Sequence, residues 1–91
     1  MTHSQIIRPE TLEALIRLVS DPRRLGGSRR AFGIAGRRLG REIQTHEEAR
    51  EVFAALQEED ALALIAELER LMPDLTLNTI FETLRRLRRQ T

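Results

Sequence analysis

Residues 45–71 read THEEAREVFAALQEEDALALIAELERL, and the spacing of their apolar residues decides the fold class. Thr45 is followed three residues later by Glu48, the form of a capping box, in which each residue satisfies a backbone donor at a helix start. Ala49, Val52, Phe53 and Leu56 then recur at intervals of three or four, the period of one helical face. After the acidic run Glu58-Glu59-Asp60, with Asp60 as the expected cap, Ala61, Leu64, Ile65, Leu68 and Leu71 repeat the pattern. Met72-Pro73-Asp74 ends it, because proline disfavours helical geometry in the residue before it.

The same reading extends in both directions. Upstream, Pro9 suits a first helical position and Glu10 and Glu13 complement the positive helix end. Leu12, Leu15, Ile16 and Val19 form the buried face, and Ser20-Asp21-Pro22 closes the helix. Gly26-Gly27-Ser28 predicts a turn, with Ser28 as an N-cap, followed by Phe32, Ala35, Leu39 and Ile43 at helical spacing. Gly33, Gly36 and Gly40 interrupt that segment, and each costs about 1 kcal/mol against alanine. Two short helices, or one bent around a close neighbour, are expected there. Gly36 and Gly40 share a face that would admit another backbone. Downstream, Thr76 or Asn78 is expected to cap a last helix with Leu77, Ile80, Phe81, Leu84 and Leu87 inward.

Strand signals are absent: no alternating run, no Asn-Gly or Asp-Gly hairpin, no Tyr and no Trp. The fold class read from the chain is all-α. The expected architecture is a compact antiparallel bundle of five or six helices of about 10–15 residues. Residues 1–91 form a single domain, with 1–8 as a flexible N-terminus.

Charge is sorted along the length. Residues 22–41 carry seven Arg and no acid, whereas 42–74 carry ten acids against Arg50 and Arg70. The net charge of +1 therefore hides a bipolar chain, able to bind a polyanion with one part or another copy of itself, positive against negative.

Composition excludes several function classes. There is no Cys, hence no disulfide, thiolate metal site or thiol chemistry. All fifteen basic residues are Arg, so no lysine serves a phosphate loop, a Schiff base or a general base. No apolar run reaches the length of a membrane span, and the first residues lack the pattern of a secretory signal. A cytoplasmic location without membrane contact is expected. His3 and His46 do not complete a His-Glu-x-x-His zinc motif, and Ser4, Ser20 and Ser28 have no base near them in sequence. No catalytic residue, metal, cofactor or small-molecule substrate is expected, and the chain reads as a protein that is not an enzyme.

Two regions stand out as binding surfaces. The first is the Arg-rich segment, where Arg29, Arg30, Arg37, Arg38 and Arg41 gather on a helical face as bidentate partners for carboxylates or phosphates. Glu47, Glu48, Glu51, Glu58 and Glu59 supply an opposing acidic face. The second is residues 73–87, Pro-Asp-Leu-Thr-Leu-Asn-Thr-Ile-Phe-Glu-Thr-Leu-Arg-Arg-Leu, which resemble the recognition-helix region of ferric-uptake-regulator-type winged helices. That resemblance implies Asn78, Thr79, Glu82 and Thr83 facing a DNA groove, with Arg85, Arg86 and Arg89 on backbone phosphates. The whole chain, as several short helices with separate basic and acidic surfaces, also resembles death-fold modules of the CARD type. This second resemblance implies homotypic assembly through complementary faces. The expected function is a protein–protein interaction module for adaptor or oligomerisation roles. The alternative is a helix-turn-helix nucleic-acid-binding regulator.

Overall fold

The computed structural model describes residues 5–75 and 77–90, with the backbone alone for 77–80, 83 and 90. Among the described residues there are five α-helices: α1 Pro9–Ser20, α2 Gly27–Leu39, α3 His46–Ala54, α4 Glu58–Leu71 and α5 Leu77–Gln90. No strand occurs among the described residues; two isolated antiparallel bridges join Ile6 to Gln57 and Arg24 to Asp74. The chain is all-α.

α1 lies at the centre, packing against α2, α3 and α4. Leu15 and Val19 of α1, Phe53 of α3, Leu64 and Leu68 of α4, and Met72 just beyond α4 are the largest fully buried side chains. They meet in a single cluster with Ala31, Phe32 and Ala35 of α2. Small residues on α2 let it approach the long side chains of α1 and α4, giving the interdigitation that a dense interior requires. No described side chain of α5 belongs to this core.

The first turn of α4 is fastened to the N-terminus. Ile7 N–H donates to the Leu56 carbonyl at 2.9 Å, and Glu58 N–H to the Gln5 carbonyl at 2.6 Å. The Glu58 carboxylate accepts from Arg8 N–H at 2.8 Å and from the Thr11 hydroxyl at 2.7 Å, satisfying the polar side chain buried on α1. These two donors hold the Glu58 carboxyl below its ordinary value. Residues 5–8, read from the sequence as part of a flexible leader, thus lie along residues 56–58 with Ile7 buried. Residues 1–4, including His3 and Ser4, lie outside the described residues.

Several local expectations are corrected. α2 is one 13-residue helix and not two short ones, despite its glycines. Its N-cap is Gly26 in the left-handed region, not Ser28, whose hydroxyl donates to the Val19 carbonyl at the end of α1, 2.6 Å away. Gly36 has a tertiary reason: a β-carbon there would collide with the Arg41 carbonyl, because the chain turns back over α2. Gly40, at φ 68°, makes that turn, and both Gly40 N–H and Arg41 N–H donate to the Gly36 carbonyl. The backbone admitted by Gly36 is therefore the chain's own. Asp60 is no cap, since α4 begins two residues earlier, after an extended Gln57. Thr45 caps α3 as expected: Glu48 N–H donates to its hydroxyl oxygen at 3.1 Å, and the hydroxyl donates to the Glu48 carboxylate at 3.3 Å.

The largest correction concerns α5. The inward face expected from sequence points to solvent at Phe81, Leu84 and Leu87, which are 57, 52 and 55% exposed. Leu77 and Ile80, also expected inward, lie outside the described side chains, as does Thr76. The molecule measures 53 × 31 × 22 Å with a radius of gyration of 15.3 Å. A compact chain of this length has about 12 Å. Four helices form the packed body, and α5 extends from it.

Candidate interaction surface

α2 turns Ala31, Phe32, Ala35 and Gly36 inward, which places the remaining positions on the outer face. Two rows result from the helical repeat: Arg29, Gly33 and Arg37, and beside them Arg30, Ile34 and Arg38. All four arginines and Gly33 are exposed. Two shallow grooves flank this face. Arg29, Gly33, Arg37 and Arg41 line one, with Phe32 and Ile43 at its floor. Arg30, Gly33, Ile34, Arg37, Arg38 and Glu67 line the other, between α2 and α4. Gly33 belongs to both grooves and sits among the guanidinium groups.

The five predicted basic residues are thus brought together, but they are not equivalent. Arg38 forms an ion pair with Glu67 of α4, and Arg30 reaches the Leu71 carbonyl at 3.5 Å. The guanidinium groups of Arg29, Arg37 and Arg41 make no hydrogen bond or ion pair with the described residues. Only part of the Arg-rich segment is therefore neutralised by the acidic half of the chain.

Gly33 went unrecognised as a surface feature in the sequence, where it registered as a helix penalty. A β-carbon there would meet nothing within 4 Å. No turn, positive φ or internal contact accounts for it, although glycine at a mid-helix site costs about 1 kcal/mol. Its effect is to leave a flat, side-chain-free strip of backbone between four arginines.

The acidic set divides. Glu58 is engaged with Arg8 and Thr11, and Glu48 belongs to the α3 cap. Glu47, Glu51 and Glu59 remain exposed, with Glu47 and Glu51 one turn apart on α3. His46 at the start of α3 places its ring edge-on to Phe32, centroids 5.0 Å apart. Among the described residues, no group of three His, Asp or Glu is disposed to hold a metal ion, and no helix is long and apolar enough to cross a membrane.

Of the residues implied by the winged-helix resemblance, Asn78, Thr79 and Thr83 lie outside the described side chains. Arg85, Arg86 and Arg89 are exposed on α5, where they form a small cleft with Glu82. Comparison with protein-family models, with curated proteins and with solved structures finds no match to this chain.

Proposed function

We propose that this chain is a non-enzymatic protein-interaction module whose α2 face docks on an acidic protein surface. The observation that carries the reading is the exposed Gly33 set among Arg29, Arg30, Arg37 and Arg38. The arginines supply charge for encounter and bidentate contacts to carboxylates. The glycine lets a partner's backbone or side chain reach the helix surface between them. The partner class is an acidic helical face, either of a related domain or of a second copy presenting Glu47, Glu51 and Glu59. A head-to-tail contact of that kind propagates into rings or filaments, in keeping with the homotypic assembly implied by the death-fold resemblance.

The alternative, a helix-turn-helix reader, requires α5 held against α4 by its apolar face. That face is exposed at Phe81, Leu84 and Leu87, which favours the interaction reading.

Sedimentation velocity tests the proposal at about 50 and 500 mM salt, on either side of effective screening. Association beyond a dimer is expected at low salt and lost at high salt. Arg29→Glu/Arg37→Glu is expected to abolish it, and mixing with a Glu47→Arg/Glu51→Arg chain to restore it. Gly33→Gln is expected to block assembly without lowering fold stability, because its site is open. Assembly that persists in both α2 variants overturns the reading. Steep salt-dependent binding of random duplex DNA, with a log–log slope near −0.9 per phosphate contacted, would replace it with the nucleic-acid alternative.

A further inference from the structure

α4 and α5 each have 14 residues, a length of about 21 Å. α4 turns Ala61, Leu64 and Leu68 into the core and leaves Leu62, Ala63 and Ala66 on its outer side. Leu62 is 52% exposed, and the flanking positions Glu59 and Glu69 are exposed acids. The outer side of α4 is thus a shallow apolar strip with an acidic margin. α5 has the opposite character. Its apolar ridge, Phe81, Leu84 and Leu87, is bordered by the exposed cations Arg85, Arg86 and Arg89. α5 presents large apolar residues and cations, and the outer side of α4 presents small apolar residues and acids.

The two surfaces do not meet within one chain in the observed arrangement. The segment between them is tied to the α1–α2 turn. Arg24 Nη1 donates to the Met72 carbonyl at 3.1 Å, Leu25 N–H to the Pro73 carbonyl at 3.3 Å, and Leu75 N–H to the Arg23 carbonyl at 2.7 Å. Met72 is itself buried in the core. One residue then separates Leu75 from the start of α5. With the connector so held, Leu62 of α4 and the ridge residues Phe81, Leu84 and Leu87 of α5 are each more than half exposed, so α5 does not cover the outer side of its own α4.

We infer that α5 packs on the outer face of α4 of a second copy, and that the reciprocal contact forms a two-fold, α5-exchanged dimer. An antiparallel arrangement brings Leu87 towards Leu62 and Phe81 towards Ala66. It also sets the Arg-rich end of α5 beside the acidic first turn of α4. Charge excludes α5 pairing with α5 as the better solution: each α5 carries four Arg against Glu82, so two would repel. An exchange of one element between identical chains is a low-cost route to a dimer. This surface is separate from the α2 face proposed above and shares Glu59 alone with the acidic surface that face would meet, so either can fail without the other.

The absence of cysteine makes the test clean. A Leu62→Cys/Leu87→Cys chain, mildly oxidised, is expected to give a covalent dimer on a non-reducing gel. Sedimentation equilibrium of the unmodified protein at about 500 mM salt, where the larger assemblies are screened, is expected to give about 21 kDa, twice the 10.5 kDa chain mass. Leu84→Glu and Leu62→Glu, both at exposed positions, are each expected to yield a folded monomer with retained helical circular dichroism. Glu59→Arg is expected to weaken the dimer, and mixing with Arg89→Glu to recover it. A monomer at all concentrations, an intramolecular cross-link, or a dimer that survives both Leu→Glu variants overturns the inference. Recruitment of the monomer to anionic phosphatidylglycerol vesicles through Leu84 would overturn it in favour of a lipid surface. The α2 variant Arg29→Glu/Arg37→Glu is expected to leave the dimer intact while abolishing larger assemblies.

Discussion

α4 and α5 are the same length and carry apolar stripes of the same helical period, yet they end in opposite environments. Leu64 and Leu68 of α4 are fully buried between α1 and α2, whereas Leu84 and Leu87 of α5 face solvent. The pattern along each helix states that a face needs covering. It does not state what covers it. α4 is covered because the N-terminal segment and Glu58 fasten its first turn to α1. α5 leaves the body through a connector whose backbone is already committed to the α1–α2 turn.

The sharpest way to break this comparison is to truncate one leucine on each helix. Leu64→Ala is expected to cost about 2–5 kcal/mol, because its surroundings cannot collapse into the space. Leu84→Ala, measured where the chain is monomeric, is expected to stay within about 0.5 kcal/mol. Urea denaturation followed by circular dichroism gives both values. Equal losses would mean that α5 packs on the body in solution.

A second contrast lies within α2. Gly36→Ala is expected to destabilise by about 1–3 kcal/mol, since the new methyl meets the Arg41 carbonyl across a closed turn. Gly33→Ala is expected to stabilise by about 1 kcal/mol, as alanine replaces glycine in an open helical site. The same denaturation midpoints read both signs. A loss at Gly33 would reveal an internal role for that residue and weaken the case for a docking face.

The cap of α3 comes next. Thr45→Ala removes the acceptor for Glu48 N–H and is expected to cost about 1 kcal/mol, with Thr45→Ser retaining most of the stability.

The smallest effect is pH-dependent and tests the fastening of α4. The Glu58 carboxyl is held below its ordinary 4.5 by the Arg8 N–H and the Thr11 hydroxyl. A depressed native value means the unfolded chain binds the proton more readily. The stabilisation is therefore complete above the ordinary value and is lost as pH falls through the lowered one. Midpoints for wild type and Glu58→Gln should converge at acid pH and separate towards neutrality. Parallel profiles would show that the contact does not couple to protonation.

Much of the body was legible in the sequence because its signals are local. The Thr45–Glu48 cap, the stop at Met72-Pro73 and the repeating apolar positions of α1, α3 and α4 each act within a few residues. The Arg cluster was legible too, since Arg29, Arg37 and Arg38 share a helical face wherever the helix sits. The division of the acids was not. Glu48 and Glu58 look like Glu47 and Glu59 in the chain. They differ because Thr45 meets one and Arg8 and Thr11, some 50 residues away, meet the other.

By itself, the sequence determined that this protein is helical, where α1 and α3 start, where α1 and α4 stop, and that its charge is segregated. Periodicity, caps and proline stops are short-range, so their physics is complete within a few turns of chain. Only the tertiary structure decided that Gly36 admits the chain's own Arg41 and Gly33 admits nothing of the chain. It alone decided that Glu58 accepts from Arg8 and Thr11 and that Phe81, Leu84 and Leu87 of α5 remain uncovered. Those outcomes depend on which distant segments meet, and an apolar stripe or a carboxylate carries no record of its partner.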